Sequence, residues 1–535
     1  MKEYLQVADI GKETDQLVTI EAADLMSLPP PYGDLSAEPP LRSLTEEQKK
    51  RLDASLDGFI AIGIPRPQTA EEEQALVTKF LAGVQRLFSK EDNWTFLQPL
   101  LHSLDYCVKC QICSDACPVF TATGGKEIYR PTFRPEVLRR IVRRYIKKEG
   151  SFVSFLHGND VELNWRVVTR LAELAYRCTL CRRCAQLCPL GIDNALISRE
   201  IRKVMSQELG LAPNELHESG TVKQLKTGSS TGITPKALGN IVEFMEDEIE
   251  EKTGRKIKIP VDKKGADVLL VHNAGEYMAW PENPEAFAII FDAAGIDWTL
   301  SSELVGYDAV NYGIWYDDVQ AARIAIRHAQ AARDLGVKRI SVGECGHAHK
   351  AIMVIADRVL TGDLNIPRES ALPLLERLVL TKKLKLDPAR NNFAVTLHDP
   401  CNMVRLMGIV EPQRRILRAI CPQFREMEPH GIENYCCGGG SGFAITQSTT
   451  FPDWRSAVSG RMKLKQILEA FDRLDDPTDY KYVCAPCSNC KGQMWDLFTY
   501  FDVWERSGIL YGGLVELIVS AMVDLKEPFI EWEFH

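Results

Sequence analysis

No stretch of the 535-residue chain keeps about 18 apolar residues together without a charge, so no bilayer-spanning helix is expected. The longest apolar run, GGLVELIVSAMV near the C-terminus, is interrupted by Glu516 and predicts a packed amphipathic helix. The opening residues MKEYLQVADIGKETDQ lack the basic and apolar regions of an export signal, which predicts a cytoplasmic location. Basic residues are in deficit, 64 Lys and Arg against 73 Asp and Glu for a net charge of -9, so nucleic acid is not expected as a partner. One basic stretch stands out, RPTFRPEVLRRIVRRYIKK from Arg130 to Lys148, and it reads as a solvated helix after Pro135 that offsets nearby anionic metal centres, ahead of a surface for an acidic partner or lipid head groups. The segment QLKTGSSTGITPKAL lacks the Gly-Lys-Ser/Thr ending of a phosphate-binding loop and reads as a linker. No flavin or dinucleotide fingerprint occurs. Cysteine is absent from the first hundred residues.

After that point there are 16 cysteines, which in a reducing compartment are metal ligands before they are disulfides. The length exceeds one ordinary core and predicts several units. Residues 1–100 form an extension, with the proline-rich arm SLPPPYGDLSAEPPLRS, suited to wrapping a neighbour. Helical sequence follows from Thr45 and through TAEEEQALVTKFLAGVQRLFSK, where Thr69 is the expected cap. Residues 101–210 hold two dense cysteine runs, and 211–263 a linker and helix.

Strands and helices then alternate, which predicts parallel sheets. The order strand, helix, helix, strand occurs twice, over residues 264–390 and 391–535, an internal repeat of two α/β domains. Aligning DVLLVHNAGE with FAVTLHDPCN sets His272 against His398 and Gly275 against Cys401. Ligands of such sheets bind beyond the carboxyl ends of strands, where this region's cysteines fall.

The two dense runs, CVKCQICSDACP and CTLCRRCAQLCP, both follow the spacing in which three thiolates grip one cubane and the fourth reaches the other. By that rule Cys107, Cys110, Cys113 and Cys188 hold one [4Fe-4S] cluster, and Cys178, Cys181, Cys184 and Cys117 the second. Zinc ordinarily takes its ligands in separated pairs. The long helical insert between the runs predicts a helical ferredoxin module, a relay for single electrons.

The stretch NYCCGGGSGF places Cys436 and Cys437 side by side before Gly438, Gly439 and Gly440. Neighbouring side chains serve one site only where the backbone turns, and the glycines allow that turn while leaving room for a bulky group. Cys401 lies upstream and Cys487 and Cys490 downstream, so five thiols collect, more than a zinc site or cubane needs. A strained vicinal disulfide, a zinc site with a spare thiol, and buried cysteines acting as small hydrophobes remain alternatives. The relay argues against all three, since it would then deliver electrons to nothing.

The arrangement of Cys401, Cys436-Cys437-Gly438 and Cys487-x2-Cys490 resembles the cysteine-rich CCG domain of heterodisulfide reductases. The whole order, an α+β multidomain chain with a two-cluster ferredoxin module before two CCG-like domains, is similar to the reductase D subunits. HDPCNMVR, YCCGGGSGF and CAPCSNCK look closer still to the K subunits of membrane complexes associated with dissimilatory sulfite reductase. The resemblance implies that Cys401, Cys436, Cys437, Cys487 and Cys490 hold a noncubane [4Fe-4S] cluster that splits disulfides. It implies electrons from a quinol-oxidising b-type cytochrome, attachment to the inner face of the cell membrane through partner subunits, and a di- or trisulfide on a small sulfur-carrier protein as substrate. Reduction of a heterodisulfide of methanogenic coenzymes, or electron transfer for a glycolate- or lactate-type dehydrogenase, are the alternative readings.

The chain departs from that pattern in its first repeat, where only Cys345, in GECGHAHK, survives and no complete cluster is expected. Cys345 is a remnant, an extra ligand, or a thiol near the substrate; His347 and His349 lie close by in sequence. His398 is a proton donor by position or a hydrogen bond that tunes the cluster. Cys487 and Cys490 are preferred over Cys484 as ligands because Lys491 follows them, and Cys421 is expected in the core.

Overall fold

The computed structural model describes residues 7–12, 20–42, 45, 47, 63–148, 161–306, 315–442, 453–472 and 480–534. Most of the polar stretch expected to be helical after Thr45 lies outside them. The chain divides into two compact units. The first comprises Met1–Pro213, Trp315–Asp318 and Gly438–Lys465; the second comprises Asn214–Ile314, Val319–Cys437 and Gln466–His535. Among the described residues, no helix is long and apolar enough to cross a membrane.

The first unit is helical. Thr69 caps the helix Ala70–Arg86, its hydroxyl accepting from the Glu72 N–H at 3.2 Å. That helix packs on Asn194–Leu209, which also packs on Trp165–Tyr176. The proline-rich arm stays within this unit. Glu38 accepts two bonds from the buried Arg461, at 2.8 and 2.6 Å, and Arg42 pairs with Asp453 at 2.7 Å.

The basic segment departs from expectation. Its helix begins at Phe133, before Pro135, and Arg134, Glu136 and Arg139 are buried rather than solvated. The reason is a set of acceptors beside the cysteine-bearing loops: Arg134 donates to Ser198 Oγ at 2.8 Å and Arg139 to the Leu104 carbonyl at 2.6 Å. Lys109, inside the first cysteine run, pairs with Glu136 at 2.8 Å.

The second unit holds two parallel four-stranded sheets. Strands β1 Val268–Val271, β2 Trp298–Thr299, β3 Arg339–Val342 and β4 Arg368–Ser370 lie in the order β2-β1-β3-β4. Strands β5 Ala394–Leu397, β6 Phe424–Arg425, β7 Lys481–Cys484 and β8 Ile509–Gly512 repeat it as β6-β5-β7-β8. Strands β1 and β5 are buried along their whole length, as expected of parallel strands covered by helices on both faces.

The halves exchange helices. Ala371–Leu380 of the first packs on Glu411–Ile420 of the second, and Leu514–Ser520 of the second packs on Glu282–Ala294 of the first. Such reciprocal packing is the signature of an approximate twofold axis. It yields one continuous core containing Phe287, Leu375, Leu417 and Ile518.

Candidate metal centres

Each cysteine run bends its backbone the same way. Lys109 and Gln111 take φ of 58° and 66°, and Leu180 and Arg182, at the matching places of the second run, take 53° and 62°. Left-handed backbone costs a residue other than glycine about 1–2 kcal/mol, so four such residues at matched positions mark loops shaped around something other than themselves. Cys107, Cys110, Cys113 and Cys188 line one cavity; Cys117, Cys178, Cys181 and Cys184 line another. Burial and the neighbouring Cys107, Cys188, Cys117 and Cys110 push the Cys113 thiol up to about 12. Burial, Asp193 and then Cys181, Cys178 and Cys117 raise Cys184 as well. Crowded thiols resist ionising unless a cation stands between them, so this donor set fits a four-iron cluster in each cavity.

In the second unit β3 and β7 lead into matched loops. Cys345 lies three residues beyond the end of β3 as Cys487 lies three beyond the end of β7, and their backbones agree at φ -155°, ψ 117° and φ -164°, ψ 116°. Each carbonyl then accepts from the residue four positions on, Cys345 from His349 N–H at 3.2 Å and Cys487 from Lys491 N–H at 2.9 Å. The loops touch. Gly346 N–H donates to Cys487 Sγ at 3.3 Å, and Ser488 N–H to the Glu344 carbonyl at 3.0 Å.

Two triads result. The ligand atoms of Cys345, His347 and Cys487 lie within 4.8 Å of one another, as do those of His398, Cys437 and Cys490. Contact between Cys487 and Cys490 joins them. Burial would raise Cys487, but contacts from Cys345, Cys490 and His347 outweigh it and hold this thiol well below its ordinary value. Cys490 is raised well above it by Cys437, by Cys487 and by burial. Cys401 opens the helix Cys401–Leu406 beyond β5, and Cys436 precedes Cys437; both are buried, and both stand outside the triads.

The remaining thiols are elsewhere. Cys484, on β7, and Cys421 belong to the apolar core, and burial raises both, Cys421 to about 12. His272, the counterpart of His398, meets Glu276 at 3.5 Å and the edges of Tyr277 and Phe287. Gly275, in the place of Cys401, precedes the helix Glu276–Ala279.

The sequence predicts that the glycines after the vicinal pair leave space for a cofactor; at Gly438 and Gly440 the side a Cβ would occupy faces neighbouring backbone. Gly438, at φ 97°, would place a Cβ 2.5 Å from Gly460 N, and Gly440 would place one 2.5 Å from the Thr179 carbonyl. The first unit includes this segment from Gly438 onward, along with Thr179.

A buried charge cluster behind the matched loops has no signature in sequence spacing. Glu344 accepts from Leu514 N–H at 2.9 Å, Val515 N–H at 3.1 Å and Asn283 Nδ2 at 3.0 Å. Ser488 donates to Glu276 at 2.8 Å, and Lys491 lies 3.4 Å from Glu516 and 3.8 Å from Glu276. Burial pushes Glu344 up to about 8. Glu344, Ser488 and Lys491 each adjoin a candidate ligand, Cys345, Cys487 and Cys490, but nothing in their spacing shows that they meet.

Residues 103–192 match the model of the 4Fe-4S dicluster domain, and residues 395–495 that of the cysteine-rich domain, CCG. The Hdr-like menaquinol oxidoreductase iron-sulfur subunit 2 of Archaeoglobus fulgidus is 27% identical over 458 residues, 78% of this chain and 80% of that protein. The dihydromethanophenazine:CoB–CoM heterodisulfide reductase of Methanosarcina barkeri has a D subunit that is 25% identical over 437 residues, 80% of this chain and 96% of that protein. No solved structure matches the chain. The matched domains and the thiol-lined cavities together indicate iron–sulfur clusters.

Proposed function

The chain belongs to the heterodisulfide reductase D-subunit-like family of CCG-domain proteins, and on that basis we propose that it is the catalytic iron–sulfur subunit of a membrane-associated thiol–disulfide oxidoreductase in dissimilatory sulfur metabolism. A quinol, oxidised at a b-type cytochrome subunit, supplies the electrons. Cys107, Cys110, Cys113 and Cys188 hold one cubane, and Cys178, Cys181, Cys184 and Cys117 the other. Cys401, Cys436, Cys437, Cys487 and Cys490 hold a noncubane [4Fe-4S] cluster. The substrate is a di- or trisulfide on a small sulfur-carrier protein.

One observation carries this reading: Cys437, Cys487 and Cys490 converge beyond the strand ends of the second unit, and none of them is among the eight thiols lining the two cavities. A cluster bound there would supply one-electron reduction and an iron for a substrate sulfur. A disulfide takes two electrons and two protons to give two thiols; a trisulfide takes two more of each and also releases hydrogen sulfide. His398, 3.2 Å from Cys490 Sγ, is placed to steady that sulfur's charge. The sulfur chemistry of the relatives' names, a heterodisulfide reductase among them, supports the same class of reaction.

Burial of the whole thiol set favours a second reading, in which the last centre only relays electrons. The test is paramagnetic resonance of the purified protein, oxidised with and without a small thiol or a carrier protein. A new thiol-dependent signal, absent from Cys436→Ser, supports chemistry at the centre. An unchanged spectrum assigns the relay.

A further inference from the structure

Building on that reading, we propose that the incomplete first half completes the second half's centre: Cys345 adds a thiolate to the iron held through Cys437, Cys487 and Cys490, and His347 is the positioning residue for Cys487. The approximate twofold axis makes Cys345 the mate of Cys487, and His347 the mate of Asn489, by place in the loop and by backbone conformation. The contacts between the mates are reciprocal. Asn489 Nδ2 lies 3.5 Å from Cys345 Sγ, while His347 contacts Cys487. One set of donors therefore straddles the axis, and a metal bound to Cys487 lies within reach of Cys345.

The surroundings of Cys345 hold it rigidly. On one side the Glu344 carboxylate is fixed by Leu514, Val515 and Asn283. On the other, His349 Nδ1 donates to the Cys345 carbonyl at 2.6 Å and its Nε2 meets Ser370 Oγ at 2.7 Å. Cys421 and Cys484 sit in the apolar core, Cys421 with Asn391 Nδ2 3.8 Å from its sulfur, and neither belongs to a triad of ligand atoms among the described residues. The Asn489 Nδ2 contact and the triad with His347 and Cys487 set the Cys345 sulfur apart from a thiol that only fills space. On ligation Cys345 Sγ gives its proton to water and forms an iron–sulfur bond, with no change of oxidation state. It thereby occupies a coordination position that an external thiol would otherwise take.

The experiment compares wild type, Cys345→Ala, His347→Gln and, as a buried-thiol control, Cys421→Ala. All are purified with their clusters, and the signals of the two cubanes report that each variant has folded. Iron per chain is measured, and the thiol-dependent resonance signal of the oxidised protein is titrated with mercaptoethanol. The expected result for Cys345→Ala is an altered signal and a midpoint thiol concentration lower by about tenfold or more, one order of magnitude per 1.4 kcal/mol. His347→Gln is expected to shift the g values, and Cys421→Ala to match wild type. Unchanged midpoints and g values in both Cys345→Ala and His347→Gln overturn the proposal, and if Cys345→Ala does not fold, an unchanged His347→Gln does so alone. A wild-type protein with about eight irons, the content of two cubanes, and no thiol-dependent signal overturns the underlying reading, and this proposal with it.

Discussion

His398 Nε2 lies 3.2 Å from Cys490 Sγ, and the His398 N–H donates to the Cys484 carbonyl at 2.9 Å, so the end of β7 fixes the ring against the thiol. A hydrogen bond to a thiolate favours the more negative, reduced state of whatever the thiolate binds. Losing a bond to a charged group costs about 1.5–3 kcal/mol, or roughly 60–130 mV for a one-electron couple. His398→Leu is therefore expected to lower the midpoint potential of the proposed third centre by that order, and His398→Gln by less. A redox titration followed by paramagnetic resonance measures it. Equal potentials in all three proteins would remove His398 from the site.

Asp399, the next residue, forms a buried bidentate pair with Arg414 at 2.7 and 2.5 Å and accepts from Gly431 N–H at 2.7 Å. Arg414 also pairs with Glu426 at 3.1 Å, so removing the Asp399 charge weakens the network without leaving the guanidinium unpaired, at a cost of about 1.5–3 kcal/mol for a bond between charged groups. Asp399→Asn should lower the denaturant midpoint of the second unit by that measure without changing which thiols bind iron. The cubane signals of the first unit serve as the internal reference. A midpoint within error of wild type would show the pair to be solvated.

Much of this architecture is legible in the sequence because each feature has its own local signature. Gly295 follows the last residue of Glu282–Ala294, Thr69 caps its helix, and the VLLV and AVTL runs are strands of equal place in two sheets. The pairing of Cys345 with Cys487 is not legible, because it depends on the twofold packing of helices far apart in sequence. The same holds for Glu344, whose partners Asn283, Leu514 and Val515 lie on two distant helices. The glycine-rich turn is ambiguous for another reason. Glycine reports that something comes close, and at Gly438 and Gly440 neighbouring backbone comes close enough to account for it.

His328 is fully buried, and burial alone lowers its pKa to about 4 from an ordinary 6.5. The unfolded chain thus binds a proton that the folded chain refuses, and stability falls as pH drops from 6.5 towards 4. The sign follows from a base kept neutral: above 6.5 the group contributes nothing, and below 4 the full penalty applies. The span corresponds to an upper bound of about 3 kcal/mol. Denaturation of wild type and His328→Leu across this window should give a steeper acid loss for wild type. Parallel curves would place the imidazole in contact with water.

Gly440 bears on the cluster proposed at Cys178, because a Cβ there would press on the Thr179 carbonyl at 2.5 Å. That strand of backbone has little freedom to retreat. Arg202 grips the Ala175 carbonyl at 2.7 Å and the Cys178 carbonyl at 2.6 Å, and also donates to Ser441. The same guanidinium thus ties the glycine loop to the cysteine run, and a methyl group at Gly440 forces one against the other. Overpacking of this kind costs about 1–3 kcal/mol. Gly440→Ala is expected to speed iron loss to a chelator from the Cys117, Cys178, Cys181 and Cys184 set and to broaden its resonance signal. The Cys107, Cys110, Cys113 and Cys188 set should behave as in wild type, since a separate cavity holds it. Equal sensitivity of both clusters would mean that the substitution unfolds the unit as a whole rather than pressing on Thr179.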